Sequence, residues 1–304
     1  VLLVALGAPL GARMSISLGD LNDQLLLAAS SDNDFECMSL LERGADMNCR
    51  NSAGRTPLML AVVAEALQTF DILLSYGADV NLTDLNGESA LFKGCRLGDK
   101  FENRVGVVME LLAADADVSL RNVLGQTPLF EAVGANAPLL IDLLVDHGAD
   151  MEVRDLDGCF PLYLAAQEGC ADAVEALVKR GADVNARLPQ NGASALHVAS
   201  SRGQSGTVQV LLRCGADVNL RSYNGSTPLL VAAQEGCIEV VRVLLRSNAA
   251  VDQRDRMHRT ALHMACAWNF PGVAAELLAA GANLEAKMSS GSTPLHMAAS
   301  SGAV

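Results

Sequence analysis

The chain has 304 residues, half of them hydrophobic but only 4% aromatic, with a net charge of −13 and a pI near 4.7. That charge argues against a nucleic-acid-binding or anionic-membrane surface. A chain of this length ordinarily divides into two domains, unless it is a repeat array, which grows in one dimension and needs no such division.

Residues 1–20 read as a leader of uncertain structure. Val1-Leu2-Leu3-Val4-Ala5-Leu6 is apolar but soon meets Gly7, Pro9 and Gly11. It is either the core of a clipped signal peptide or an uninformative segment upstream of Met14, a candidate start. No run approaches the roughly 18 apolar residues of a membrane span, so no membrane insertion is expected.

From residue 21 to 304 a unit repeats. Gly44, Gly77, Asp115, Gly148, Gly181, Gly215, Asn248 and Gly281 fall at steps of 33, 38, 33, 33, 34, 33 and 33 residues. Twelve or thirteen residues after each comes a Thr-Pro-Leu-like box, starting at Thr56, Ser89, Thr127, Phe160, Ser194, Thr227, Thr260 and Thr293. The box Thr caps a first helix through its hydroxyl, and Pro takes the first helical position, where its missing N–H costs nothing. A second helix ends in a core-facing Leu-Leu pair such as Leu73-Leu74 or Leu211-Leu212. The glycine then supplies the left-handed conformation that stops it. Asp115 and Asn248, which replace it, are of types that tolerate positive φ. A first unit near 21–48 has Asp23 at the Thr position and no recognisable box. The last begins at Thr293 and reaches Val304 without a second helix; truncation explains this better than design.

A 33-residue period carrying this box resembles the ankyrin-repeat family over almost the whole chain. The resemblance implies an all-α solenoid of stacked helix-turn-helix units joined by β-turn fingers, about nine units in 21–304. Two irregularities interrupt it. Ser89 to Asp115 spans 26 residues where other units use 21, so five are inserted around 97–105. They are predicted to lengthen the turn between helices and carry Asp99, Lys100, Glu102 and Arg104 into solvent. This is either a partner-contacting loop or a tolerated surface insertion. One extra residue in the finger Leu188-Pro189-Gln190-Asn191 is expected to re-aim that fingertip.

No chemistry departs from the repeat. The eight cysteines include no Cys-x-x-Cys pair, and Cys170 and Cys237 share a repeat position as small packing residues. Free buried thiols point to a reducing compartment, the cytosol, with the nucleus as alternative. His197, His263 and His296 share the last box position. The resemblance implies that they hydrogen-bond locally and tie neighbouring units together. Parallel side chains on helices about 8–10 Å apart converge poorly on one metal. There is no phosphate loop, no Gly-x-Ser-x-Gly elbow and no His-Glu-x-x-His helix. Neither an enzyme, a cofactor nor a metal site is expected.

A basic column, Arg50, Arg121, Arg154, Arg187, Arg221, Arg254 and Lys287, with Thr83 as the exception, runs along the finger arms. It is expected to serve the scaffold by pairing with acidic neighbours. Asn81, Asn185 and Asn219, and less clearly Asn48, resemble the asparaginyl-hydroxylation pattern of ankyrin repeats; holding the finger by side-chain hydrogen bonds is the compatible alternative.

The resemblance places partner binding on fingertips and the exposed face of the first helices. Trp268, the only tryptophan, falls on that face. Its own finger carries Arg256, Met257 and Arg259, and the preceding one Tyr223; Trp, Tyr and Arg are the residue types enriched in binding hot spots. The competing expectation is that Trp268 folds over Phe270 and Pro271 to plug a poorly packed unit. A second candidate is the apolar fingertip row Leu85, Val123-Leu124 and Leu156. The expected function is a non-catalytic, monomeric scaffold that binds another protein or peptide in a concave groove. The alternatives are a targeting or regulatory module of a larger enzyme (a kinase, ubiquitin ligase or acyltransferase), and a secreted effector.

Overall fold

The computed structural model describes residues 17–97 and 103–302, with seventeen α-helices and no strand among them. One isolated antiparallel bridge joins Arg187 and Ser194. The chain divides into two compact units, Val1–Gly94 and Cys95–Val304.

The first unit contains α1 (Leu18–Ser30), α2 (Asp34–Glu42), α3 (Pro57–Val63) and α4 (Leu67–Ser75). Helix α1 packs on α2 and α3, and α4 on α3 and α2. Helix α1 starts earlier than the repeat period suggests. The Ser17 hydroxyl accepts the Asp20 N–H at 3.1 Å, and the Asp20 carboxylate accepts the Ser17 N–H at 3.2 Å. This capping box fixes the start at Leu18 and leaves Asp23 inside the helix rather than at its cap. Residues 1–16 of the expected leader lie outside the described residues.

The division between the units falls within α5 (Ala90–Arg96). The second unit continues with α6 (Arg104–Ala113), α7 (Pro128–Gly134), α8 (Pro138–Asp146), α9 (Pro161–Glu168), α10 (Ala171–Lys179), α11 (Ala195–Ser201) and α12 (Ser205–Arg213). It closes with α13 (Pro228–Gln234), α14 (Ile238–Arg246), α15 (Ala261–Ala267), α16 (Pro271–Ala279) and α17 (Pro294–Ser300). Odd-numbered helices from α7 to α17 stack on one another, and even-numbered ones from α6 to α16 form a second layer behind them.

Most of these helices have only seven to nine residues, too few to be stable alone. Two features make them form here. Caps satisfy the first turn: the hydroxyls of Thr56 and Thr227 accept the N–H groups of Met59 and Leu230 at 3.4 and 3.3 Å. Stacking then buries Leu and Ala on both layers. In the terminal Leu-Leu pairs only the first leucine is wholly buried, as with Leu73, Leu211, Leu244 and Leu277. The second is turned about 100° further round the helix and is partly exposed in several pairs, most clearly in Leu278, while Leu41 and Leu112 are still buried.

The glycine column behaves as its spacing requires. Its glycines have φ between 84° and 102°, and the substitutes Asp115 and Asn248 adopt 61° and 62°. A second left-handed position, in the turn between paired helices, is occupied by Asp32, Glu65, Asn136 and Asn269 as well as by glycines. Glu65, at φ 59°, is the least suited of these residue types.

Of the five-residue insertion, 98–102 lie outside the described residues, Asp99, Lys100 and Glu102 among them. Arg104 does not project into solvent. It is half-buried, and its guanidinium donates to the Leu97 carbonyl at 2.6 Å, tying α6 back to the end of α5. The lengthened finger folds into a small hairpin. Leu188 is buried, donates its N–H to the Ala193 carbonyl at 2.8 Å, and accepts the Gly192 N–H at 2.9 Å. The extra residue is thereby absorbed inside the finger, and Asn191 still accepts the Tyr223 N–H of the next finger at 2.8 Å.

Glu65→Gly should raise the unfolding free energy by about 0.5–1 kcal/mol. Relief of roughly 1–2 kcal/mol of left-handed strain is partly offset by the added freedom of glycine in the unfolded chain. Urea denaturation reads this directly, and a loss of stability would show that the turn is not strained.

Candidate partner-binding surface

Five of the fingers are built around one acceptor five residues before the box. Asn51, Asp84, Asn122, Asp155 and Asp255 each accept two backbone N–H groups of their own fingertip, at 2.8–3.0 Å. The sequence reading missed this Asn/Asp column, although its constant offset from the box would have revealed it.

Successive fingers are then joined. Leu85 donates its N–H to the Ala53 carbonyl at 3.1 Å, Leu156 to Leu124 at 2.9 Å, Arg256 to Asn224 at 2.9 Å, and Ser289 to Met257 at 2.9 Å. The basic column reinforces these links, but not by pairing with acids. Arg50 donates to the Thr83 carbonyl at 2.5 Å, Arg221 to the Arg254 carbonyl at 2.8 Å, and Arg121 to the Arg154 carbonyl and, at 2.7 Å, to Gly125. A guanidinium spans two fingers because the acceptor repeats every 33 residues. Arg187 is exposed and makes no such staple, its finger being the hairpin just described. On the opposite arm the side-chain oxygens of Asn48, Asn185 and Asn219 accept N–H groups of Asp79, Asp217 and Ala250 in the following unit at 2.8–3.0 Å.

The box histidines hold the first helices to the same framework. The Ser194 N–H donates to His197 Nδ1 at 3.2 Å, which leaves Nε2 to donate to the Ser226 carbonyl of the next unit at 3.0 Å. His263 repeats this with Thr260 and the Ser292 carbonyl, and His296 pairs with Thr293. Burial pushes both His197 and His263 below the usual histidine pKa, against the pull of those carbonyl hydrogen bonds. Burial, with nearby Asp34 and Asp46, likewise raises the thiols of Cys37 and Cys49 to about 11 and about 12. Cysteines in that range stay protonated near neutral pH and are poor nucleophiles. No group of three metal-ligating side chains occurs among the described residues. None of their helices is long and apolar enough to cross a membrane.

Lys93 is a charged residue the sequence reading overlooked. It takes the first-helix position held elsewhere by Leu60, Val198 or Met264, and is 5% exposed. Its ammonium donates to Asp84 at 2.8 Å and to Glu88, both buried. Burial would push the Asp84 carboxyl up. The Lys93 bond, with N–H bonds from Glu88 and Asn86, instead holds it below the usual carboxylate range. Glu88, next to the box at Ser89, is therefore an interior partner.

The candidate contact residues fall into separate places. Met257, Arg259 and Trp268 come together around one cavity with His263, Met264, Ala267, Met288 and Met297. Trp268 follows the last residue of α15; its N–H bonds the Met264 carbonyl at 3.1 Å and its side chain is 59% exposed. It does not plug the repeat. Arg259 is less available than expected, since Nε and Nη2 both donate to buried Asp255 at 2.7 Å. Tyr223 is 48% exposed and lies against the preceding finger, where a Cβ on Gly192 would meet its ring at 2.5 Å. Arg256 is exposed on the next finger. Leu124 and Leu156 are exposed on adjoining fingers of the second unit, and Leu85 is exposed on a finger of the first.

Lys93→Leu should cost about 3–5 kcal/mol, because it strands two buried carboxylates. Adding Glu88→Leu should recover part of that loss. Equal stability of Lys93→Leu and wild type in urea would show the cluster to be solvated. The histidines predict a pH dependence. Their folded pKa lies below the unfolded value of about 6.5, so their contribution is complete above that pH and lost as pH falls through it. Between about pH 7.5 and 5.5, Tm should therefore fall more for wild type than for the His197→Gln/His263→Gln variant. Parallel falls would assign the acid sensitivity elsewhere.

Comparison with known proteins agrees with this architecture. A family profile described as ankyrin repeats (3 copies) matches residues 25–103, 100–188 and 187–255, and a single ankyrin-repeat profile matches 257–289. The chain is 38% identical over 117 residues to the neurogenic locus Notch protein of Drosophila melanogaster, covering 38% of this chain and 4% of that one. It is 35% identical over 128 residues to a fowlpox virus protein described as an ankyrin repeat protein, and 29% identical over 128 to one of Escherichia coli. These matches cover 40% of the chain in both cases, and 36% and 61% of the two relatives. With its period, paired helices, hydrogen-bonded fingers and box histidines in place, the chain belongs to the ankyrin-repeat family.

Proposed function

We propose that the array is a non-catalytic scaffold that binds a protein or peptide through fingertips and first helices, with Trp268 at the centre of its contact. The observation that carries this is the exposure of Trp268. A tryptophan with 59% of its surface in water stabilises the fold little for its size. It stands beside Met257, whose finger also carries Arg256, on a backbone whose polar groups are already hydrogen-bonded. Tyr223 and Arg256 extend the contact along the adjoining fingers, and Leu124 with Leu156 offers a second apolar step. The whole array 21–304 acts as one binding domain, working as a monomer. Its unpaired cysteines suit the reducing cytosol, with the nucleus as alternative.

A second reading, a targeting or regulatory module within a longer chain, draws support from relatives such as Notch, of which the matched region is 4%.

Affinity capture from a reducing lysate with wild type and Trp268→Ala/Tyr223→Ala tests the proposal. A partner retained only by wild type is expected, with Trp268→Ala alone weakening it by about 2 kcal/mol or more and leaving Tm nearly unchanged. A drop in Tm with unchanged binding would make Trp268 a packing residue.

A further inference from the structure

The cavity at Trp268 differs from the rest of the surface in composition. Four of its eight lining residues are methionines: Met264 from α15, Met297 from α17, and Met257 and Met288 from two successive fingers. Its volume is about 290 Å³, large enough for a single bulky side chain and below the usual range for a small-molecule pocket. Methionine is flexible and polarisable, and so moulds to apolar or aromatic groups without demanding one shape. His263, the polar ring in the wall, has both nitrogens occupied by Thr260 and the Ser292 carbonyl. Arg259 is held by Asp255.

The rim is electropositive in an otherwise acidic chain. Beside the cavity Arg256 and Arg259 stand against Asp255, whereas the whole chain carries −13; Arg254 lies with Asp252 around a neighbouring hollow. Asp255 already accepts two backbone N–H groups and the Arg259 guanidinium, so little of its charge remains unanswered. Arg256 is exposed, adjoins the cavity residue Met257, and has no ion-pair partner among the described residues.

We propose that this cavity takes a bulky apolar side chain from a partner segment whose neighbouring residues are acidic. The methionines and Trp268 hold the side chain, and Arg256 holds a carboxylate beside it. This rests on the scaffold reading above and adds the chemistry of the occupant. Apolar burial supplies the anchor, while the arginine discriminates against basic segments.

The chain's single tryptophan makes the site its own reporter. A phage-displayed library of random dodecapeptides is selected in parallel on wild type and on Trp268→Ala. Trp268 is exposed, so its removal should leave the circular dichroism unchanged. Peptides lost from the Trp268→Ala selection should combine Leu, Met, Phe or Trp with Asp or Glu within a few residues. A synthetic copy of the most enriched peptide should shift Trp268 emission to the blue. Its Kd should rise at least about tenfold in Arg256→Glu and in Met257→Ser, which keeps the reporter. Exchanging its acids for lysines should weaken it on wild type and restore binding to Arg256→Glu. Trp268-dependent peptides rich in Lys or Arg would overturn the acidic specificity. Peptides that bind wild type and Trp268→Ala equally would overturn the cavity assignment while leaving a scaffold with its site elsewhere. An empty selection together with an empty lysate capture would overturn both.

Discussion

The hydrogen bond from one finger to the next is the constraint on which the rest depends. A pair of helices of seven and nine residues cannot enclose a core, and its leucines are buried only when neighbouring pairs lie in register. Register is set at the fingers. An Asn or Asp shapes most tips, a tip N–H meets the preceding carbonyl in five fingers, and arginines or histidines reach across to following units. The acceptors of the tip N–H, the arginines and the histidines are backbone carbonyls, whose positions repeat whatever the side chains do. Side chains can therefore change from unit to unit while the spacing persists.

This explains which departures from the pattern are tolerated. Where the glycine column is lost, Asp115 and Asn248 keep the left-handed geometry. An added finger residue is accommodated by burying Leu188 in a hairpin, at the expense of the Arg187 staple but not of the link to Tyr223. Lys93 is a different kind of departure, since it buries a charge at a position where most other units have an apolar side chain, Glu131 being the other charged occupant. Asp84 is already held at the base of its finger, and Glu88 completes the enclosure of the ammonium. Such a cluster contributes less than packed leucine would, but losing one member is costly because the remaining charges are trapped.

What could be read from the sequence follows the same division. Box, glycine column and helix pairing were legible, because each depends on a local residue type at a repeating offset; the histidine bridges followed only from the family resemblance. The early start of α1 was hidden by reliance on the period, although Ser17 and Asp20 carried the capping signal. The arginine column was identified as scaffold but given the wrong partners, since charge suggests acids while geometry supplies carbonyls. Lys93 was missed because nothing in a single sequence says that Asp84 and Glu88 converge on it. For the contact residues, sequence named Trp268, Met257 and Arg259 together, yet not that Arg259 is held by Asp255 or that Met288 and Met297 arrive from the following unit.

A binding surface on such a scaffold needs side chains with nothing structural left to do. Several finger positions fail that requirement. Arg121 and Arg221 staple, Asp84 and Asp255 shape turns, and Tyr223 rests partly on Gly192. Trp268 meets it. Its N–H ends α15 on the Met264 carbonyl, leaving the indole free, and the methionines around it come from elements already fixed by the finger bonds of Met257 and Ser289. Rigid backbone with adaptable side chains limits the entropy lost on binding to a few methionine rotamers. It also lets apolar contact be made without reorganising the stack. The same separation of tasks lets an array built on a uniform framework carry a local, individual specificity.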